Sequence, residues 1–152
     1  MASIATLGSH CALQVLKGAR DEGFKTILIC EKKRERLYRR FKFIDELILV
    51  DSFLEISESK CESLLEENNS ILIPHGTLIA QMKQKQIESI QTPIFGNKHI
   101  LGWESDRVLK EQLMKEAKFD VPKSISSPKE IKSLIIAKRH GAAGGKGYFL
   151  AS

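Results

Sequence analysis

Residues 3–30 read SIATLGSHCALQVLKGARDEGFKTILIC, and their pattern sets the architecture predicted for the chain. One apolar run ends at Leu7, and another covers residues 25–30. Between them, residues recur with the spacing of one helix face, at Ala12, Val15, Leu16 and Ala19. Ser9 is the predicted N-cap of this helix, and Gly23 is predicted to end it. The stretch therefore predicts a βαβ unit with parallel strands and a right-handed crossover.

The same alternation continues downstream. Apolar runs predict strands at 46–50, 70–73 and 92–95, and helical spacing predicts helices at 53–68 and 78–84. Such alternation indicates an α/β fold with an open, mostly parallel, Rossmann-like sheet. Ligands of these sheets bind beyond the carboxyl ends of the strands. We therefore expect a small substrate at the polar residues that follow the strands, which are Gly8-Ser9-His10, Asp51, His75-Gly76-Thr77 and Gly96-Asn97.

The Gly8-Ser9-His10 turn is not a dinucleotide fingerprint, because His10 and Leu13 stand where that motif requires glycine. Free N–H groups and the helix dipole at the start of the helix still favour an anion. Capping or core packing is the alternative interpretation of His10. A proline-bounded turn would equally explain His75 and Thr77.

Beyond residue 97 the pattern changes. A helix is predicted over 103–118, and turn signals follow before two apolar runs that flank a glycine-rich loop. This pattern predicts a β-hairpin over 134–151, with Lys138 and Lys146 beside the loop. Backbone N–H groups of glycines can approach a phosphate closely, although a flexible surface loop is the alternative. The loop is not a P-loop, since Gly147 follows Lys146. The predicted domains are 1–97 and 98–152.

The formal charge of +5 is concentrated in one segment. Residues 31–42 hold seven of the 24 Lys/Arg and two of the 19 Asp/Glu, which leaves 17 of each sign elsewhere. A solvated helix face, a site for a nucleotide phosphate and a nucleic-acid surface all remain possible interpretations. Nucleic acid is the least favoured partner, because Tyr38 and Phe41 are too few to form a stacking platform.

The composition and residue spacing of the chain limit the predicted cellular location of the protein and the kinds of site it can contain. No apolar run approaches the roughly 20 residues that span a bilayer, and the N-terminus does not resemble a signal peptide. The three cysteines are widely spaced, which indicates free thiols in a reducing cytoplasm, and no membrane partner is expected. The histidines and cysteines have no metal-ligand spacing, and no nucleophile motif is present.

Several blocks together resemble one family, the archaeal formate-dependent AICAR ligases of purine (IMP) biosynthesis. The blocks are Ile4–His10, Leu16–Ala19, Pro74–Thr77, Phe95–Asn97, Trp103–Ser105 and Gly141–Phe149. These proteins are ATP-grasp 5-formaminoimidazole-4-carboxamide ribonucleotide synthetases. The resemblance implies a pre-ATP-grasp α/β domain on the AICAR side, over 1–97, and the first part of an ATP-grasp domain, over 98–152.

The resemblance also implies a reaction. ATP phosphorylates formate to formyl phosphate, the amine of AICAR attacks it, and FAICAR, ADP and phosphate result, with magnesium as the metal. His10 and Thr77 match AICAR-binding positions, together with Gly8 and Ser9 of the same turn; the family usually has serine in place of Thr77. The implied ATP-binding residues are Lys138, Gly141, Gly144, Gly145, Lys146, Gly147 and Tyr148.

Relatives in this family are roughly twice as long, so the chain is expected to be an N-terminal portion that is inactive alone. The metal ligands are then expected in the remaining half, and no catalytic residue is assigned. The full-length protein is expected to be a homo-oligomer. Two other interpretations stay open: a non-catalytic nucleotide-binding module, and an ATP-grasp ligase with a different acceptor.

Overall fold

Four parallel strands form the central sheet of the first part of the chain. The computed structural model describes residues 2–138 and 148–152, and it divides into two units, Met1–His99 and Ile100–Ser152. The first unit contains β1 (Ser3–Leu7), β2 (Lys25–Glu31), β3 (Glu46–Val50) and β4 (Ser70–Leu72), in the spatial order β3-β2-β1-β4. This arrangement confirms the predicted open parallel sheet, and the near-continuous burial of β1 and β2 is typical of its inner strands.

Helix α1 (Ala12–Asp21) connects β1 to β2. Gly23 ends it as predicted: its φ is 82°, and the N–H groups of Gly23 and Phe24 donate to the carbonyls of Arg20 and Ala19. These bonds form a Schellman motif, in which glycine adopts the left-handed conformation without strain. The prediction of Ser9 as N-cap is wrong. The helix begins two residues later than predicted, with Cys11 as the N-cap residue, because residues 9–11 form the turn that leads out of the sheet.

The predicted helix over 53–68 is split in two. A 3-10 helix covers Phe53–Ser57, and α3 covers Ser59–Glu67. Phe53 and Ile56 are both buried, and their spacing of three matches the 3.0 residues per turn of a 3-10 helix. Ser52 and Glu55 form a capping box at its start, and Glu58 interrupts the helix with an extended backbone.

The segment after β4 also differs from the prediction. Two short helices, α4 (Gly76–Gln81) and α5 (Gln84–Ser89), replace the single helix expected at 78–84. The strand expected at 92–95 is reduced to one parallel bridge between Leu72 and Ile94. Pro93 accepts a hydrogen bond from Leu72 N–H at 2.8 Å but has no N–H to donate, which limits the ladder at this point.

The amino ends of the strands are tied together by polar side chains. The Asp45 carboxylate accepts from Thr26 N–H at 2.9 Å and from the Arg20 guanidinium at 2.8 Å. Lys25 pairs with Glu46 at 2.9 Å. The Ser3 and Ser70 hydroxyls are buried and lie 2.9 Å apart. These contacts tie β2 to β3 and β1 to β4 at this edge.

The second unit begins with helices that the sequence predicted as one. Helices α6 (Leu101–Ser105) and α7 (Arg107–Glu116) meet at Asp106, whose carboxylate accepts from the N–H groups of Val108 and Leu109 and so starts a new helix. Strands β5 (Ile135–Lys138) and β6 (Tyr148–Ala151) pair antiparallel, which confirms the two arms of the predicted hairpin. The remaining short helices are α2 (Glu35–Tyr38) and the 3-10 turns Lys32–Arg34, Lys98–Ile100 and Pro128–Glu130. No helix in the described part of the chain is long and apolar enough to cross a membrane.

Candidate functional site

The turns after β1 and β4 lie side by side, because these two strands are paired. Gly8 and Ser9 follow β1 and are buried, whereas His10 is exposed. Thr77 lies in the first turn of α4 and is half-buried. Four residues proposed from the sequence for one ligand are therefore carried by two adjacent strand ends.

His75 joins the two turns. Its Nε2 atom lies 3.0 Å from the carbonyl oxygen of Leu7, so this nitrogen carries the proton and donates. Its Nδ1 atom accepts from the N–H of Thr77 at 3.3 Å and so caps α4. These two bonds select one tautomer of the ring. His75 is thus the link between the end of β1 and the start of α4.

The environment of His75 favours the neutral form of its ring. Burial lowers the pKa of His75, the nearby His10 charge lowers it further, and the bond to the Leu7 carbonyl only partly opposes this shift. A protonated ring would lose the lone pair with which Nδ1 caps Thr77. The neutral ring is consequently the form that holds the two turns together.

Ser9 packs against the same ring. Its Oγ atom lies 3.4 Å from Nε2 and 3.5 Å from Nδ1 of His75, which is long for a hydrogen bond. The hydroxyl is therefore only weakly engaged. The burial of Ser9 against His75 explains why it does not cap α1.

A second set of contacts holds the Gly8-Ser9-His10 turn from the β2 side. The Tyr38 hydroxyl donates to the Ser9 carbonyl at 3.1 Å, and Nη1 of Arg34 donates to the Gly8 carbonyl at 3.2 Å. A Cβ atom on Gly8 would lie 3.1 Å from the Tyr38 ring and 3.3 Å from the Ile29 carbonyl oxygen. The turn accepts only glycine there without displacing its neighbours.

Arg34 and Tyr38 were not predicted as site residues. Both belong to the basic segment 31–42, whose charge was visible in the sequence. The sequence did not indicate which of its side chains reach back over 26 and 29 positions to the first strand.

The carbonyl groups of this turn are engaged, but several of its N–H groups are not. Among the described residues, the N–H groups of Ser9, His10 and Cys11 donate to no protein acceptor. They lie at the start of the ten-residue helix α1. Together with the exposed His10 ring and the Arg34 guanidinium, they give this edge a surplus of donors. Such an arrangement can bind an anionic ligand.

Two other parts of the predicted rim are used differently. Asp51 pairs with Lys32 at 2.7 Å. Gly96 and Asn97 line a shallow pocket of about 370 Å³ formed by residues 91–94 and 96–99. The Asn97 side chain accepts from the N–H of His99 at 3.0 Å. The structure therefore groups Gly8, Ser9 and the residues 75–77, but gives Asp51 and Asn97 local partners.

Of the predicted ATP-binding residues, the structure describes Lys138 and Tyr148, at the end of the β5–β6 pairing. Lys138 is the backbone partner of Tyr148 in the antiparallel register. Gly141, Gly144, Gly145, Lys146 and Gly147 lie outside the described residues and stay predictions. Within 2–138 and 148–152, no three His, Cys, Asp or Glu side chains are grouped as metal ligands.

Comparison with known proteins gives relatives over the whole chain. A protein of Nitrosopumilus maritimus named 5-formaminoimidazole-4-carboxamide-1-(beta)-D-ribofuranosyl 5'-monophosphate synthetase is 69% identical over 152 residues, which are 100% of this chain and 45% of that protein. The protein of the same name from Methanocaldococcus jannaschii is 48% identical over 99% of this chain and 42% of its own length. The chain thus spans less than half the length of these relatives.

Solved structures show the same fold. The crystal structure of an IMP biosynthesis protein PurP from Thermococcus kodakaraensis matches 97% of this chain and 48% of its own with a TM-score of 0.74 and 26% identity. N5-carboxyaminoimidazole synthetase from Staphylococcus aureus, complexed with ADP, matches 93% of this chain and 39% of its own with a TM-score of 0.68. At 16% identity, this second likeness concerns the fold alone.

A family profile matches residues 4–125, which run from β1 to α7. The match includes both strand-end turns, Gly8-Ser9-His10 and His75-Gly76-Thr77. Its description is "Protein of unknown function (DUF1246)". The match extends over most of the chain, and the chain therefore belongs to this family.

Proposed function

We propose that this chain forms the AICAR-binding part of an ATP- and formate-dependent ligase that converts AICAR to FAICAR in purine biosynthesis. The observation that carries the proposal is the pair of adjacent strand-end turns, Gly8-Ser9-His10 and His75-Gly76-Thr77, joined by His75. The name of the relative that is 69% identical, a 5'-monophosphate synthetase, supports the choice of substrate and reaction. Because the chain spans 45% of that relative, the proposal concerns the protein at its native length.

In the proposed reaction, ATP supplies the phosphoryl group that activates formate, and the amine of AICAR then attacks the formyl carbon. The residues of this chain would position AICAR. The N–H groups of Ser9, His10 and Cys11 are available to an anionic or carbonyl oxygen of the nucleotide. The His10 ring and the Thr77 hydroxyl supply further polar contacts. No residue of this chain is assigned to proton transfer.

Holding the two turns fixed is the second task of the site. His75 bonds to both of them, and Tyr38 and Arg34 engage consecutive carbonyls of the first. A ligand that contacts His10 and Thr77 would then meet groups whose separation is already set. Such preorganisation reduces the entropy that binding must otherwise remove.

For the ATP side, we propose Lys138 and Tyr148 with the loop glycines and Lys146. The support is the pairing of Lys138 with Tyr148 at the end of the hairpin, which brings both ends of the loop together. Lysine and glycine N–H groups suit a nucleotide phosphate. Magnesium would neutralise phosphate charge, and its ligands are assigned to no residue of this chain.

We further propose AICAR and formate as small-molecule partners, a cytoplasmic location and a homo-oligomer at native length. Free Cys11, Cys30 and Cys61 support a reducing compartment. Light scattering on the native-length protein checks the oligomeric state.

The proposal is tested by assaying the native-length protein with ATP, AICAR and formate. FAICAR formation that requires all three, with ADP released in equal amount, is the expected result. ADP release that is indifferent to both AICAR and formate would refute the assignment. The native-length protein with His10→Ala is a specific comparison, because this exposed residue can be removed without a buried cavity. We expect a raised KM for AICAR and an unchanged KM for ATP.

A nucleotide-binding module without catalysis is the second candidate. One observation favours it: both strand-end turns, Gly8-Ser9-His10 and His75-Gly76-Thr77, lie within the first unit, Met1–His99, so one unit contains the whole candidate site. Calorimetric titration separates the two functions. Binding of AICAR with no turnover and no effect of ATP on its affinity would favour the module. FAICAR synthesis would exclude it.

A further inference from the structure

Arg34 differs from the neighbouring basic residues in what it contacts. It ends the 3-10 turn Lys32–Arg34, which directly follows β2, and β2 is the neighbour of β1 in the sheet. Lys32 pairs with Asp51 at 2.7 Å, and Lys33 pairs with Glu31 at 2.8 Å. Arg34 instead donates to the backbone of the Gly8 turn. Of these three cations, Arg34 is the one bonded to the candidate site.

The contact with Gly8 holds the Arg34 guanidinium in place but occupies only part of its hydrogen-bond donors. Its Nη1 atom donates to the Gly8 carbonyl at 3.2 Å, and its Nε atom lies 3.9 Å from the nearest Glu31 oxygen. The guanidinium also lies beside the Tyr38 hydroxyl: burial raises the pKa of Tyr38, and the contact with Arg34 partly opposes this. The side chain is 45% exposed, so a ligand can reach it. The remaining N–H donors are thus available at the edge of the turn.

The charge of Arg34 is also only partly compensated. The carboxylate nearest to it, Glu31, already forms a close pair with Lys33 at 2.8 Å. Tyr38, which shares the turn with Arg34, contributes a neutral hydroxyl that donates to Ser9. The contacts around the guanidinium therefore leave a net positive charge next to the uncommitted N–H groups of the turn.

We propose that Arg34 binds the 5'-phosphate of the nucleotide substrate at the Gly8-Ser9-His10 turn. This inference rests on the proposed function, in which the substrate is a nucleoside 5'-monophosphate. A phosphate dianion matches the planar fork of a guanidinium, which can donate two parallel bonds, whereas a lysine offers a single point of charge. Arg34 then contributes twice, by positioning the turn through Gly8 and by contacting the ligand. Its place is set by the anchor to Gly8, so little side-chain entropy remains to be lost.

Substrate and variant can be changed together to test this role. The substrate pair is AICAR and the corresponding nucleoside, which lacks the phosphate. The variant is Arg34→Gln, whose amide still has an N–H for the Gly8 carbonyl but no charge. Arg36→Gln is the matched control, because Arg36 lies on the same basic segment and forms no ion pair or side-chain hydrogen bond among the described residues.

Affinities of the native-length protein are measured by calorimetry with each ligand. We expect Arg34→Gln to weaken AICAR binding about 10- to 100-fold, as for loss of a charge-assisted contact, and to change nucleoside binding less than about threefold. Arg36→Gln should bind both ligands like the wild type. We also expect the AICAR affinity of the wild type to fall more steeply with salt than that of Arg34→Gln, because the variant lacks one charged contact with the phosphate.

Three results would overturn the assignment. The first is unchanged AICAR affinity in Arg34→Gln. The second is an equal loss for both ligands, which would mean that Arg34 acts only by positioning the turn. The third is a wild-type protein that binds the nucleoside as tightly as AICAR. A wild type that binds neither ligand would refute the proposed function itself. If Arg34→Gln does not fold, Arg34→Lys replaces it, and a loss confined to AICAR is again required.

Discussion

The two edges of the central sheet are both polar, yet they differ in how their polar groups are used. At the amino ends of the strands, Thr26, Asp45 and Arg20 satisfy one another, and Lys25 pairs with Glu46. At the carboxyl ends, the N–H groups of Ser9, His10 and Cys11 have no protein acceptor among the described residues. The polar groups named at the amino edge are thus bonded within the protein, whereas the carboxyl edge retains N–H donors for a ligand.

This difference shows why polarity alone does not locate a binding site. A polar group bonded within the protein contributes to stability, and little is left for a ligand. An uncommitted donor at a surface turn is bonded to water, which a ligand can replace. The amino edge is therefore expected to influence stability, and the carboxyl edge to influence affinity. Each of the following substitutions tests that separation.

Gly8→Ala is expected to weaken AICAR binding about 10- to 100-fold, more than the substitutions of His75 and Asp45. Its Cβ would press on the Tyr38 ring at 3.1 Å, and the ring would move the hydroxyl that holds Ser9. Overpacking should also lower the free energy of unfolding by about 1–3 kcal/mol. Calorimetry and urea unfolding measure the two quantities.

Gly18→Ala is the matched control for this change. A Cβ at Gly18 would have no heavy atom within 4 Å, and the residue lies inside α1. Alanine should therefore leave AICAR affinity unchanged and raise the free energy of unfolding by about 0.5–1 kcal/mol. If Gly8→Ala binds AICAR as tightly as Gly18→Ala, the packing of the turn does not matter for binding.

His75→Ala should weaken AICAR binding by about tenfold, because it removes the link between the two turns. The loss of the cap on α4 should also reduce the free energy of unfolding by about 0.5–2 kcal/mol. His75→Asn is the informative comparison. Asparagine is a good N-cap and should restore most of the stability, but it is too short to keep the Leu7 bond. Equal affinity in all three proteins would contradict a role for His75 in the site.

The same residue predicts a dependence of stability on pH. Burial lowers the pKa of His75 in the folded state below its ordinary value of 6.5. The unfolded chain then binds the proton more readily, so this contribution to stability is fully present above about pH 6.5 and is lost as the pH falls toward the folded pKa. Urea unfolding between pH 5 and 8 should show this decline, and His75→Asn should flatten it. An identical decline in the variant would exclude His75 as its source.

Asp45→Asn should have the smallest effect on affinity, although its effect on stability is large. Partial burial raises the pKa of Asp45, but the hydrogen bonds from Thr26 and the charge of Arg20 outweigh this and lower it. Loss of the carboxylate should reduce the free energy of unfolding by about 1.5–3 kcal/mol, as for hydrogen bonds to a charged group. AICAR affinity, measured where the variant is folded, should stay within about twofold of the wild type. A tenfold loss would show that the two edges are not independent.

Local patterns in the sequence were sufficient to predict the sheet and the position of the ligand edge. The apolar run before Gly8 and the helical spacing after it determine β1 and α1, and Gly23 ends that helix by a local backbone preference. Parallel strands then bring their carboxyl ends to one edge wherever they are paired. The turns at Gly8 and His75 could thus be predicted to lie at the same edge, whereas the pairing of β1 with β4 that makes them neighbours was not predicted.

Other features depend on contacts that the sequence does not display. Arg34 and Tyr38 bond to a turn 26 and 29 positions earlier, and nothing in the basic segment distinguishes them from Arg36 or Arg39. The predicted 103–118 helix is broken because Asp106 caps the start of α7 instead of continuing the helix that precedes it. Whether such a residue caps a helix or continues one depends on competition between local hydrogen bonds of similar free energy.

The most direct test of the account is an NMR titration of the backbone amides with AICAR. We expect the largest shifts at Ser9, His10 and Cys11, whose N–H groups have no protein acceptor among the described residues, and at Thr77 beside them. The amides of Thr26 and Asp45, which are bonded at the other edge, should not shift. Shifts that are largest at Thr26 and Asp45, or absent at Ser9, His10 and Cys11, would contradict the claim that the carboxyl ends of β1 and β4 form the nucleotide site.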